Sequence, residues 1–384
     1  MAMFDKIRPN VFILGVVSLL TDISSEMIFS VLPVFMSSVL LLDKAGIGLI
    51  EGVAGSTASV FNLLAPKLER LLGKKKRAMI FGYGLSAIAK PFFAFATSGW
   101  HVLFFRFADR AGKGLRGPPR DALIADSANR GSRGFSFGVH RAMDTVGAIL
   151  GPLLAFAVLS VFAGGFRLVF LLSFVPAAVA VGAIFFLVRE KADGKKIVAA
   201  KKAVPESGRG YGRFFLSACV FALGNMSVAF LLIRVRELGL AIELVPLAYL
   251  AFNVSYALFA IPFGRLADSF GREKTLALAF ALFCVSFAGL ALSQSLWMTI
   301  LFIVVYGIAA AGTDTVQRIM ASELVPKERR TGAIATYQGI TGLLLLPASV
   351  VAGTLWAFSG APAAFAFGAV TSAIAIIALN PGKK

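Results

Sequence analysis

Apolar stretches about as long as the roughly 20 residues of helix needed to cross a bilayer core recur along the entire chain. Twelve can be marked off, at 11–35, 45–66, 78–97, 99–125, 135–160, 165–188, 213–235, 244–264, 274–293, 296–320, 331–357 and 361–379. A chain of 384 residues that is 58% hydrophobic and 15% charged would, if folded in water, leave apolar patches far larger than a monomer tolerates. Its solvent is therefore the lipid bilayer, which excludes soluble domains, disorder and nucleic-acid binding. The two cysteines, Cys219 and Cys284, both lie in apolar runs and offer neither a disulfide framework nor a metal spacing. The expected fold is an all-α membrane protein of twelve transmembrane helices.

The formal net charge is +18, from 38 Lys and Arg against 20 Asp and Glu. In a soluble protein that excess would point to an anionic partner. Here 26 of the basic residues fall in the termini and in alternate connections, around Lys74–Arg77, Arg130, Lys195, Arg272 and Arg329. Only Lys44, Arg167, Arg234 and Arg236 fall in the others, and eight lie inside spans. The positive-inside rule then places both termini and the 189–212 connection in the cytoplasm, so the basic balance is mostly topology. The first apolar run reaches Asp22 and Glu26 without a small-residue cleavage pattern, and no cleavable signal peptide is expected.

That 189–212 connection, rich in Lys, Gly and Ala, divides the spans six and six. It reads as a flexible linker between a domain at 1–188 and another at 213–384. A shift of about 198 residues lays Pro66-Lys-Leu-Glu-Arg-Leu-Leu-Gly73 on Gly264-Arg-Leu-Ala-Asp-Ser-Phe-Gly271. A shift of 197 or 198 also superposes Arg120 on Arg318, Asp126 on Glu323 and Arg133 on Arg330. The shared offset points to parallel repeats, two pseudo-symmetric six-helix bundles, as in transporters whose substrate site lies between halves at the bilayer midplane.

Taken together, these residues resemble the major facilitator superfamily of secondary transporters. Gly264-Arg-Leu-Ala-Asp268-Ser-Phe-Gly271-Arg272 looks like the family's cytoplasmic gating signature between helices 8 and 9. Its first-half equivalent is degenerate, with Pro66 for the first Gly, the acid at Glu69 and Arg70 in the usual Asp place. Arg106, followed by Gly112 and Gly114, resembles the family's Arg-containing motif. Gly147-Ala-Ile-Leu-Gly151-Pro152 is similar to a motif associated within the superfamily with antiporters. Gly112–Asp121 and His140–Asp144 look like a bacterial branch labelled only as transporter or drug-efflux permease. The resemblance implies residence in a bacterial or archaeal cytoplasmic membrane and transport by alternating access without a cofactor.

Ionisable groups at depth are expensive and face a bundle interior or aqueous cavity, so they are the default sites. On the fourth span Arg106, Arg110, Lys113, Arg116 and Arg120 share one helix face, with Asp109 and Asp121 beside them. Arg106, Asp109, Arg116, Arg120 and Asp121 read as parts of the gate, whereas Arg110 and Lys113, nearer the midplane, read as cavity groups. Pro118-Pro119 is expected to break that helix near its cytoplasmic end. Asp22 and Glu26, one turn apart on the first span, are the best proton-coupling candidates, because a carboxyl moving between apolar and basic surroundings loads and releases a proton. A permanent ion pair with the fourth or fifth span is the competing reading. Glu51 is a weaker candidate, expected to be wetted near the outer end. His140 and Asp144 share a face and suit a proton relay, a hydrogen-bonded structural histidine being the competing reading, and Arg141 beside them suits an anion contact. His140 and Met143 alone do not make a metal site.

In the second half, Asp314 and Arg318 are expected to pair with each other as part of the gate. Asn225, Asn253, Tyr337 and Gln338 are candidate neutral hydrogen-bonding contacts to substrate. No Gly-rich nucleotide loop occurs, so the energy source is expected to be an ion gradient. The favoured reading is a proton-coupled antiporter exporting an amphiphilic small molecule. The alternative is a proton-coupled uptake symporter for an organic anion clamped by Arg110, Lys113 or Arg141. A membrane-embedded enzyme would need a nucleophile or metal set that two His and two Cys do not supply, and a non-transporting sensor is the remaining class. Nothing in the sequence requires more than a monomer.

Overall fold

The computed structural model describes residues 8–128, 133–190, 209–326 and 330–380, and all regular structure among them is helical. Helix α1 (Pro9–Phe29) opens on a proline, whose missing N–H would be unpaired there anyway. It stops at Phe29 because Pro33 has no N–H for the Phe29 carbonyl and its ring would strike that oxygen. The chain continues through a short turn at Leu32–Val34 and a π-turn at Phe35–Val39. Then come α2 (Lys44–Leu72), α3 (Lys75–Phe92), α4 (Gly99–Ser127), α5 (Arg133–Val161) and α6 (Phe166–Leu187). Helix α7 is in two pieces, Arg209–Gly224 and Ala229–Glu237, and is followed by α8 (Val245–Phe270), α9 (Arg272–Leu292) and α10 (Leu296–Glu323). The stretch 330–379 is helical on both sides of Gly360, whose φ of 81° no α-helix contains, and so forms α11 (330–359) and α12 (361–379).

Ten segments are long and apolar enough to cross a membrane. Helix α4 adds an eleventh of sufficient length whose charges lower its hydropathy, and the turn at Gly360 makes two of one. Among the described residues that gives the twelve helices read from the sequence. The expected break at Pro118-Pro119 does not occur: α4 runs unbroken to Ser127. Transmembrane helices tolerate interior proline when neighbours satisfy the freed backbone groups, and Gly114, one turn before Pro118, presents no side chain to crowd the ring. Of the expected linker, residues 191–208 lie outside the described residues.

The described residues pack as two compact units. One contains those up to Leu32 and from Thr57 to Glu190; the other contains Pro33–Ser56 and everything from Arg209 on. In the first, α1 packs on α5 and α6, and α3 on α4 and α6. A cluster of Leu14, Val17, Met79, Tyr83, Leu123 and Ile184 fills the end near the Lys74–Arg77 turn. In the second, α7 and α9 pack on the 330–379 stretch, and α8 and α9 on α10, so the order of contacts in the first unit recurs. Here the start of α2 lies against α11 with no room for side chains between them. A Cβ on Gly52 would stand 2.9 Å from the Leu346 carbonyl, and Ser56 Oγ donates to the carbonyls of Gly342 and Leu343 at 3.2 and 3.1 Å.

Candidate functional site

In the first unit the fold brings α1, α4 and α5 together around the predicted carboxylates. Glycine makes this possible: a Cβ on Gly147 would stand 2.9 Å from the Cβ of Asp22, and one on Gly151 2.6 Å from the Cβ of Glu26. The backbone of α5 therefore touches α1 beside both acids, with Pro152 buried one position further on. Asp22 and Glu26 are half-buried. The charges acting on Asp22 come from Asp144 on α5 and from Lys113, Arg116 and Arg120 on α4, while Lys113 lies in the field of both Asp22 and Glu26. Lys113 and Arg141 are exposed, and Arg110 is half-buried. His140 is buried with its Nδ1 3.7 Å from Asp144 Oδ2, beyond hydrogen-bond reach. Its Nε2 and the other Asp144 oxygen, Oδ1, have no hydrogen-bond partner among the described residues.

The α4 stripe divides by partner. Arg106 and Arg110 both lie over the ring of Phe29, their guanidinium carbons 4.2 and 3.9 Å from its centroid. Arg116 lies over Tyr83 at 4.5 Å. Asp109 is buried, accepting from Ser86 Oγ at 2.5 Å, with Arg110 Nε 3.7 Å away. Arg120 donates to Asp121 at 2.9 Å and to Ser18 Oγ on α1 at 3.3 Å. Aromatic faces thus hold three of the guanidiniums of this stripe. Two groups to which the sequence assigns no role are Phe29, one of 36 phenylalanines, and Lys90. Lys90 on α3 is 1% exposed and donates to Ser24 and Ser25 of α1 at 2.7 and 3.1 Å; Ser24 in turn donates to the Ser173 carbonyl on α6. Lys90 is one of the eight basic residues that the sequence places inside spans, and its serine partners are what local sequence does not mark.

The second unit holds its polar groups differently. Tyr337 donates to Gln317 at 2.5 Å and Tyr306 to Asn225 at 2.9 Å, so two predicted substrate contacts are engaged by their own unit. Gln338 is exposed and Asn253 half-buried. Asp314 and Arg318 make no ion pair with each other within 4.0 Å; Asp314 instead accepts from Tyr256 at 3.0 Å, correcting the expected pairing. Glu51 is not wetted: it is 8% exposed and accepts from Ser227 Oγ at 3.0 Å, where α7 is interrupted.

The glycine-bearing signature between α8 and α9 has a counterpart in the first unit. Gly271 turns the chain from α8 into α9 with φ 96°, a left-handed conformation that side chains resist. Immediately after it, Arg272 pairs with Glu323. Shifted back by 197, these positions are Lys75 and Asp126, which pair at 2.5 Å in the first unit. The degenerate first-half signature thus keeps its ion pair. Glu190 adds a cap there, accepting from the N–H groups of Lys75 and Lys76 at 3.0 and 3.1 Å at the start of α3. Asp268 is exposed and has no ion pair among the described residues, and Gly264 has only the Thr315 methyl near its Cβ position, at 3.8 Å.

Comparison with known proteins bears on this architecture directly. An uncharacterized MFS-type transporter of Methanocaldococcus jannaschii is 30% identical over 360 residues, 92% of this chain and 90% of that protein. The multidrug resistance protein MdtG of Dickeya zeae is 26% identical over 322 residues, 76% of this chain and 74% of that one. The nucleoside transporter NupG, in the crystal structure of a mutant form, superposes with a TM-score of 0.79 at 15% identity, covering 97% of this chain and all of that one. The Major Facilitator Superfamily matches twice in succession, at residues 14–215 and 214–381, the two repeats that the shared offset and the paired ion contacts trace. With its multi-pass helical fold and its duplicated halves, this chain belongs to the Major Facilitator Superfamily of transporters.

Proposed function

We propose that the protein is a proton-coupled antiporter that exports an amphiphilic small molecule across the cytoplasmic membrane by alternating access, with both termini in the cytoplasm. The observation that carries the coupling is the apposition of Asp22, Glu26 and Asp144 with Lys113 across the glycine-lined contact of α1 and α5. A carboxyl such as Asp22 or Glu26 that moves between apolar and cationic surroundings as the helices shift against one another loads and releases a proton. His140 stands beside them as a relay group. Arg110, Lys113 and Arg141 lie on the neighbouring faces of α4 and α5 and, with Asn225, Asn253, Tyr337 and Gln338, are the proposed substrate contacts. Arg106, Asp109, Arg116, Arg120, Asp121, Asp314, Arg318 and the residues of the glycine-bearing signatures are proposed to serve the gate. The multidrug relative and the Gly147–Pro152 motif support export. The exposure of Lys113 and Arg141 favours a second reading, uptake of an organic anion with a proton.

Thermal unfolding of the purified protein at about pH 5.5 and about pH 8, with tetraphenylphosphonium or benzoate as probe, separates the two, because a ligand of the folded state raises its apparent stability. Stabilisation by the cation that weakens at the lower pH, and that loses its pH dependence in Asp22→Asn and Glu26→Gln, is the expected result. Stabilisation by benzoate alone, lost in Lys113→Gln, overturns export in favour of uptake.

A further inference from the structure

In the second unit the end of α7, the start of α2 and the turn at Gly360 border an open cavity of about 580 Å³ that no step of the transport reading uses. Its polar lining is Asp43, Lys44, Arg234 and Glu237; its apolar wall is Trp356 with the Gly360–Pro362 turn. Glu237 is shared by both cations, 3.1 Å from Lys44 Nζ and 3.9 Å from Arg234 Nη1. The guanidinium also donates through Nη2 to the Ser293 carbonyl at 2.6 Å, but its Nε is buried with no partner among the described residues. A guanidinium carries five N–H donors, more than the Glu237 and Ser293 contacts use, so Arg234 keeps donor capacity beside the cavity. Asp43 gives one oxygen to the Gly46 N–H at 2.8 Å, which caps α2 and holds that carboxylate at the rim.

Two cations sharing one carboxylate at one side, and a second carboxylate at the rim, suit a ligand with an anionic group and an ammonium a few bonds apart. The surroundings add a requirement. Leu41, 79% exposed and held at φ 52°, precedes Asp43 by two residues, and Phe358, 87% exposed, follows Ala357 of the lining. A non-glycine residue held at positive φ is strained, and here the strain presents an apolar side chain beside a polar cleft. We infer that this cavity binds a zwitterionic head, a phosphate or carboxylate on Arg234 and Lys44 with an ammonium on Asp43 and Glu237, while attached acyl chains run along Leu41 and Phe358. A phospholipid with an ethanolamine head has this chemistry, and so does a free zwitterion such as phosphoethanolamine.

Thermal unfolding of the delipidated, detergent-purified protein tests it, with titration of dihexanoyl phosphatidylethanolamine, the corresponding phosphatidylglycerol and phosphoethanolamine. The phosphatidylethanolamine is expected to stabilise the wild type at concentrations about tenfold lower than the phosphatidylglycerol, which lacks the ammonium, and Arg234→Gln to raise the required concentration about tenfold, the worth of one charge-assisted hydrogen bond. Glu237→Gln is expected to remove the preference between the two lipids. Should Arg234→Gln fail to fold through loss of its Ser293 contact, Lys44→Gln gives the same readout, and Arg236→Gln, outside the lining, is the unchanged reference. Phosphoethanolamine acting as well as the lipid assigns the site to a soluble zwitterion; the lipid acting alone assigns it to the membrane. Equal stabilisation by all three compounds, or no change in either lining variant, overturns the proposal, and none of these outcomes depends on protons or on the substrate carried.

Discussion

At the scale of single residues, the first unit seats several of its buried cations on neutral groups as well as beside carboxylates. Lys90 rests on two serine hydroxyls and Arg106 and Arg110 on one phenyl ring. Truncating such a group removes charge-assisted hydrogen bonds and leaves a hole, and Lys90→Ala is expected to cost about 2–4 kcal/mol, measured by unfolding in detergent. Phe29→Leu removes the face under both guanidiniums and is expected to cost about 1–3 kcal/mol, whereas Phe12→Leu, at an exposed position, leaves stability unchanged. The positions of these groups were legible, since an ionisable residue in an apolar run announces itself. Their partners were not: Ser24 and Ser25 lie 66 and 65 residues away from Lys90, and nothing in local sequence marks one phenylalanine among 36 as a platform.

At the scale of elements, glycine decides which helices touch. Gly147 and Gly151 let α5 lie against α1, and Gly151→Val is expected to push a branched side chain into the Cβ of Glu26 and the Ile23 carbonyl. Loss of monodisperse protein on size-exclusion chromatography is the readout. Gly117→Ala, with open space around its Cβ position, leaves the profile unchanged. The ion pairs Lys75–Asp126 and Arg272–Glu323 join partners that are at least partly exposed, so Asp126→Asn and Glu323→Gln are each expected to change unfolding free energy by less than about 1 kcal/mol. An effect confined to transport rate would then mark them as gating contacts. Element boundaries were legible where proline or glycine enforces them, at Pro33, Gly271 and Gly360. The continuity of α4 through Pro118-Pro119 was not, because it depends on what neighbouring helices offer to the freed carbonyls.

At the scale of the whole molecule, the number of helices and their duplication follow from hydropathy and from one offset in the sequence, because a bilayer leaves the backbone few choices. The grouping of Pro33–Ser56 with the second unit has no counterpart in the sequence pattern, since it rests on glycine contacts to α11 that are recognisable only once both helices are in place. Orientation is testable in whole cells. With Cys219 and Cys284 replaced by Ser, an impermeant maleimide is expected to label Trp297→Cys and to spare Leu71→Cys, both strongly exposed positions; the reverse pattern would invert the topology. The charge carried by α4 also has a consequence for how the protein is made. A helix bearing Arg106, Asp109, Arg110, Lys113 and Arg116 forfeits about 2.5–3.5 kcal/mol for each such group near its centre. Alone, it does not partition from the translocation channel into lipid. It enters with company: α3 can meet it backbone to backbone at Gly82 and Gly112, and α1 brings Phe29 to cover its guanidiniums. Gly82→Leu is therefore expected to act during synthesis, leaving α4 in water and inverting every helix after it.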